Sequence, residues 1–300
     1  MPIPFKCPDC GFKTSLDEKR RGCRIECPAC GTTDWVPQQP PPKQVSKIKR
    51  IMKVFGVVVF LGLVVLLLLP AQEGAKEPAR RMQCMNNVKN FCLAMHIYHD
   101  EFEVFPLASG PIITGGDEEE SVETYEWSWR VRILPYIEQQ ELYDKFHFDE
   151  PWDSDHNLAV AETMPDVYQC SSDPSDPKDV NGHLIPVTNY VMITGPNTIG
   201  SADGVEVAMS DVSDGLSNTL LIVEVTGDYR PAWTEPVDIS ITDLRRNINA
   251  VHGKSIGSPH PGGANAGFVD GSVHFLSETM PPYKLQLGAQ INDGEVFFWD

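Results

Sequence analysis

Four of the eight cysteines in this 300-residue chain have the spacing most specific to a chemistry. Two residues separate Cys7 from Cys10 and Cys27 from Cys30, and each pair runs into a glycine, Gly11 or Gly31. A turn of this kind aims two thiolates and a row of backbone amides at one point. Two such turns make a closed, tetrahedral zinc site with four sulfur ligands. So short a segment cannot bury enough apolar surface to fold alone, so the metal would supply its folding energy. Disulfides or free thiols are the alternatives, and the spacing favours zinc. Cys23 is left over, either as a free thiol or as a substitute ligand for Cys27. Lys19, Arg20, Arg21 and Arg24 form a basic loop between the knuckles, open to nucleic acid, anionic lipid or protein. Only Phe12 and Trp35 are at hand for base stacking, which favours a solvated loop or a protein contact.

Three further constellations could do chemistry. His260, in a Gly/Pro-rich approach, could act as a base or metal ligand with Asp270, or anchor the following hairpin by a hydrogen bond. No nucleophile, oxyanion element or second carboxylate has recognisable spacing to it, so the anchoring role is preferred. Asp211, Asp214, Ser217 and Asn218 offer hard oxygen donors suited to Ca²⁺, yet the same residues make good turns, and the turn is favoured. Cys84 and Cys170 could pair as a disulfide; Cys92 is an alternative partner, and free thiols a third arrangement.

The elements that position these residues divide the chain unequally. Residues 1–53 hold 11 Lys/Arg against 5 Asp/Glu, and residues 54–300 hold 13 against 37. The acidic part argues against nucleic acid as its partner, because phosphate binding needs clustered Lys and Arg. Between the two parts lies VFGVVVFLGLVVLLLL, Val54 to Leu69. Counted from Ile51, 19 residues rise about 28 Å as a helix, close to the ~30 Å hydrocarbon core of a bilayer. This run predicts a single membrane span. Thiolate zinc suits a reducing compartment and sparse cysteines an oxidising one, which places the N-terminus in the cytoplasm and the acidic part outside.

After the span, Cys84, Val88, Phe91, Met95, Tyr98 and Phe102 recur at steps of four and three, the stripe of an amphipathic helix. Ile137 to Phe146 reads as a short helix; Gly204 to Met209 and Thr219 to Val225 read as strands. Apolar runs flank Asp270-Gly271, the favoured pair for a two-residue type I′ turn, so residues 266–276 predict a β-hairpin. Asp117 to Glu120 reads as a loop, Pro37 to Pro42 as a stiff spacer, and the VFFWD tail as a last strand.

From residue 66 onward, LLLLPAQEGAKEPARRMQCMNNVKNFCLAMHIYHDEFEVFP resembles the start of the bacterial family called domain of unknown function 1559. SWRVRILPYIEQQELYDKF, EPWDSDHN, YQCSSDP, TNYVMITGPNT and DVSDGLSNTLLIVE resemble further blocks of it in order. So does its C-terminal H-X9-DG signature, met here by His260, Asp270 and Gly271. The resemblance covers roughly residues 60 to 300 and leaves the cysteine module outside. It implies a pseudopilin-like fold and an association with prepilin processing. Pseudopilin-type members carry Gly, then Phe, and a glutamate five residues into the span. Here Gly56 precedes Val57 and the span holds no glutamate, which fits a permanently anchored protein better than a processed filament subunit.

The expected architecture is α+β. A zinc ribbon (1–36), a Pro-rich and basic linker (37–50) and a transmembrane helix (51–70) precede a pseudopilin-like H-X9-DG domain (71–300). In that domain a long amphipathic helix packs on an antiparallel sheet. The expected function is a non-enzymatic, single-pass inner-membrane protein, in contact with membrane lipid and acting through protein partners such as secretion or pilus-like machinery. A transmembrane adaptor or sensor reporting through the zinc ribbon is the second reading. A metal-dependent enzyme using His260 and Asp270 is the third.

Overall fold

In the computed structural model the chain forms two compact units, Met1–Ala71 and Gln72–Asp300. The structure describes residues 2–38, 45–112, 125–201, 204–295 and 299; within the helix from Val45, side chains are described for 51–63 and 76–102. The expected loop at 117–120 lies outside the described residues. So do most of the Pro-rich spacer and most of the tail.

The first unit opens with two antiparallel hairpins. Strand β1 (Ile3–Lys6) pairs with β2 (Lys13–Leu16), and β3 (Arg24–Glu26) pairs with β4 (Thr33–Trp35). The two turns repeat one design. The Gly11 amide donates to the Cys7 carbonyl at 3.0 Å, and Gly31 to Cys27 at 2.8 Å. Both glycines take φ near +70°, which a side chain would strain. Among the described residues, Phe5, Cys7 and Cys27 cluster with Leu16 and Ile25, and Val36 is buried besides, too small a core to hold the hairpins unaided.

Helix α1 spans Val45–Phe102. Among the described residues, no helix is long and apolar enough to cross a membrane, which overturns the transmembrane helix expected at 51–70. The described apolar stretch, Ile51 to Leu63, is 13 residues. Beyond it, the side chains of 64–70 lie outside the described residues.

In the second unit α1 behaves as its stripe predicts along most of its length. Cys84, Val88, Phe91, Met95 and Tyr98 are buried, while Phe102 is half exposed where the helix leaves the body. Glu103 ends the helix in the left-handed region (φ 63°), its amide bonded to the His99 carbonyl at 2.7 Å. Phe91 stacks on Tyr168 with centroids 5.0 Å apart and meets Trp129 edge-on at 5.8 Å.

Beside this helix, β5 (Ser109–Pro111) and β6 (Glu126–Ser128) form a small hairpin. The main sheet comprises β7 (Tyr190–Val191), β8 (Leu220–Glu224), β9 (Gly263–Phe268) and β10 (Val273–Ser277), in the order β10-β9-β8-β7 with every pairing antiparallel. β8 and β9 are buried throughout, and β9 is built of small residues, GANAGF. A Cβ at Gly267 would collide with Cys92 Sγ and Val88 of α1, so the glycine sets how closely helix and sheet approach.

Three expected elements differ. Residues 137–146 split into a 3-10 turn (Leu134–Ile137) and a helical turn (Gln140–Tyr143), because Glu138 between them is left-handed (φ 62°). Residues 204–209 form no strand; Val205 is exposed, and the segment bonds to the body through the Phe105 amide and the Val207 carbonyl (2.8 Å). The 266–276 hairpin is present, but Asp270-Gly271 does not make a two-residue type I′ turn. Only Gly271 has positive φ (80°), the Gly271 amide bonds to Phe268 O, and the Phe268 amide bonds to Ser272 O. That is a longer loop with a left-handed glycine, and it leaves Val269 pointing into the core.

Candidate functional site

The two knuckles bring all four predicted cysteines together. The sulfurs of Cys7, Cys10, Cys27 and Cys30 lie within 4.8 Å of one another, and the Cys7–Cys30 and Cys10–Cys27 separations are each 3.7 Å. Disulfides are excluded at that distance. Two sulfurs 2.3 Å from one tetrahedral ion would lie about 3.8 Å apart. The donor set therefore fits a metal ion. The Thr32 hydroxyl and amide draw the Cys30 thiol down to about 6, toward the ligating thiolate form. Cys23 stands outside the cluster and is exposed.

A second constellation lies in the other unit, around the signature histidine. His260 is 1% exposed, so it is a core residue and not a surface base. Its Nε2 is 3.4 Å from Cys170 Sγ, and its Nδ1 is 2.6 Å from Glu77 Oε1. Cys84, buried on α1, completes the group; the ligating atoms of Cys84, Cys170 and His260 all lie within 4.8 Å of one another. Thus Cys84 and Cys170, the two cysteines considered for a disulfide, lie close together with both thiols free. Cys92 is buried elsewhere, against Gly267.

The surroundings of His260 are built to orient it. Arg80 Nη2 donates to Glu77 Oε2 at 2.8 Å, and Ser172 Oγ donates to the same oxygen at 3.1 Å. The hydrogen bond from His260 holds the Glu77 carboxyl below its ordinary range. Burial is the largest single influence on the imidazole and works to lower it, but the Glu77 bond, the Cys84 contact and the Glu224 charge together outweigh it, so the net direction is up. The Cys170 thiol, with His260 alongside, pulls the Cys84 thiol down to about 5, while Cys170 itself is pushed up by Cys84. Glu224 of β8, also buried, is raised to about 7 by burial, against the pull of the Asn265 amide (2.7 Å) and side chain (3.0 Å).

Asp270 is not a partner of His260: among the described residues the two share no hydrogen bond or ion pair. Asp270 is exposed and accepts from the Ser272 amide at 2.8 Å, closing its own turn. The turn is instead gripped by α1. Lys89 Nζ donates to the Gly271 carbonyl, and His96 Nε2 lies 2.7 Å from the Val269 carbonyl. Both ends of the H-X9-DG segment are therefore clasped to one helix, His260 through Glu77 and the Asp-Gly turn through Lys89 and His96. Neither clasp is the His260–Asp270 pairing, which the sequence offered only as the less favoured alternative to an anchoring hydrogen bond.

A family model described as "Protein of unknown function (DUF1559)" matches residues 73–240 and 227–282. The chain belongs to this family. Comparison with curated proteins and with solved structures returns no match. The DUF1559 match spans α1 from Glu73, the whole sheet and the His260 cluster, and leaves the four-cysteine module outside.

Within the DUF1559 domain, three of the four residues considered for Ca²⁺ bond to the backbone. Asp214 is nearly buried and accepts from the amides of Asp293 (2.6 Å) and Gly294 (2.9 Å). Asp211 accepts from the Ala208 amide, and Asn218 donates to the Asp214 carbonyl. Ser217 lies in the same turn.

One buried group of the DUF1559 domain gave no sequence signal of its own. Arg130, fully buried in the SWRVR block, pairs with Asp238 at 2.8 Å and donates to the carbonyls of Tyr190, Trp233, Glu235 and Val237. Only the unusual placement of an arginine between Trp129 and Val131 hinted at it. Glu77 was equally silent: it and Glu73 are the two acidic residues between positions 71 and 99, and no motif marks either.

Proposed function

We propose that the protein is a non-enzymatic binding protein: a DUF1559 domain that works through protein contacts, preceded by a structural zinc ribbon. The observation that carries this reading is the burial of His260 and its bond to Glu77, which spend the signature histidine on fastening a helix. A surface offering contacts supports it. On the exposed face of α1, Leu93 borders a groove lined by Tyr136, Ile137, Pro165 and Val167 together with the polar Glu138, Gln139 and Asp166, and Ile97 is exposed four residues along the helix. Apolar side chains one helical turn apart and bordered by a groove suit an apolar protein segment. In the ribbon, Cys7, Cys10, Cys27 and Cys30 would hold zinc, whose chemistry there is to cross-link two hairpins that lack a core. Trp35, largely exposed at the end of β4, is its most available contact residue. Placement at the cell envelope beside secretion or pilus-like machinery belongs to the same reading and rests on the family resemblance.

The test is site-specific photo-crosslinking in expressing cells. A photoreactive residue at Leu93 should trap a defined protein, and Ile97→Asp should abolish the adduct. The same probe at exposed Tyr283 should trap nothing comparable. Equal labelling at both positions, or none at Leu93, would refute the binding reading.

A further inference from the structure

We propose that Cys84, Cys170 and His260 form a second, buried binding site for a divalent, borderline-soft metal ion of the zinc class. The geometry carries this beyond the four-cysteine module. Three ligating atoms from three distant stretches (α1, the 168–174 segment and the approach to β9) converge within 4.8 Å in the domain core. The Cys170–His260 separation of 3.4 Å is close to the ~3.6 Å expected for a thiolate and an imidazole sharing one tetrahedral zinc ion.

The imidazole is set up as a ligand. With Nδ1–H donating to Glu77, Nε2 presents its lone pair to the space shared with the two sulfurs. A carboxylate behind a ligating histidine is the usual arrangement at zinc, where it fixes the tautomer and raises the basicity of the ring. Glu77 is itself fixed by Arg80 and Ser172, so this outer layer is complete.

Charge balance favours a divalent ion. Binding needs Cys84 and Cys170 as thiolates and His260 Nε2 unprotonated, so any protons these atoms still carry go to solvent. Two thiolates then neutralise the 2+ charge, and no electron is transferred. A neutral centre is what a buried site can accommodate, and two sulfurs with one imidazole suit zinc over calcium or magnesium. Cysteines held this way are also withheld from disulfide formation.

The test uses the full chain, purified under reducing conditions after growth with zinc and counted by metal analysis. Wild type should hold two equivalents per chain. The Cys7→Ser/Cys27→Ser variant, which isolates this site from the ribbon, should keep one and lose it when His260→Ala is added. In the same double variant, cobalt(II) should give thiolate charge-transfer and d–d absorption. Glu77→Gln should keep that spectrum while weakening cobalt affinity about tenfold or more. One equivalent in wild type and none in Cys7→Ser/Cys27→Ser would overturn the proposal, however His260→Ala folds. So would a Cys84–Cys170 disulfide in protein alkylated directly on lysis.

Discussion

Glu77 and His260 stand 183 residues apart in the chain and 2.6 Å apart in space. Their contact joins α1 to the segment leading into the central hairpin, and the Asp-Gly turn at the other end of that segment is held by the same helix. The H-X9-DG signature is therefore, in this chain, the record of two docking points of one helix on one sheet.

Removing the first docking point should loosen the start of the domain. Glu77→Ala leaves a buried imidazole without its acceptor, at a cost of about 1–3 kcal/mol. Chemical denaturation should show that loss, and hydrogen exchange should quicken over 77–84 while the sheet stays protected.

The second docking point depends on two glycines with different roles. Gly271→Ala forces a side chain into φ 80° and should cost about 1 kcal/mol. Gly267→Ala places a methyl against Cys92 and Val88 with no open space to receive it, and overpacking of that kind costs about 1–3 kcal/mol. Thermal melts should rank Gly267→Ala below Gly271→Ala. The reverse order would mean that turn strain outweighs the packing of helix on sheet.

Arg130 tests how the core tolerates a charge. Arg130→Met leaves Asp238 buried and unpaired and frees four carbonyls, so it should destabilise by about 3–5 kcal/mol. Arg130→Met combined with Asp238→Asn should recover part of that loss. Denaturant midpoints of the two variants check the coupling.

The four-cysteine module should unfold independently of the domain. In Cys7→Ser/Cys27→Ser, residues 2–36 should lose amide dispersion and become open to proteolysis, while the melt of the DUF1559 domain is unchanged. Two-dimensional NMR of the full chain distinguishes this from a global effect.

Glu224 predicts a pH dependence of stability. Burial raises it to about 7 in the folded chain, against roughly 4.3 for an unperturbed glutamate. The folded state therefore holds this proton more tightly. Its contribution is fully present below about pH 4 and is lost as pH rises through 7. Denaturant midpoints of metal-free, reduced protein should fall between pH 5 and 8, and Glu224→Gln should flatten that fall.

Local patterns were legible without coordinates. The Cys-x2-Cys-Gly spacing located four sulfurs that could hold a metal, because a knuckle is a short-range turn whose glycine and cysteines are sequence neighbours. The stripe from Cys84 to Tyr98 foretold a buried helical face, because helical periodicity is written in adjacent residues. Family membership was equally readable from ordered blocks. The hydrophobic run beginning at Ile51 misled: among the described residues no helix is long and apolar enough to cross a membrane. Only the tertiary structure decided what His260 touches. The sequence favoured an anchoring hydrogen bond for His260 without naming its acceptor, and offered Asp270, ten positions away, only as an alternative; folding chose Glu77 and Cys170, brought from distant segments by the packing of α1 on β8 and β9. Partners of a buried polar group are set by which surfaces close over it, and that is a property of the assembled core.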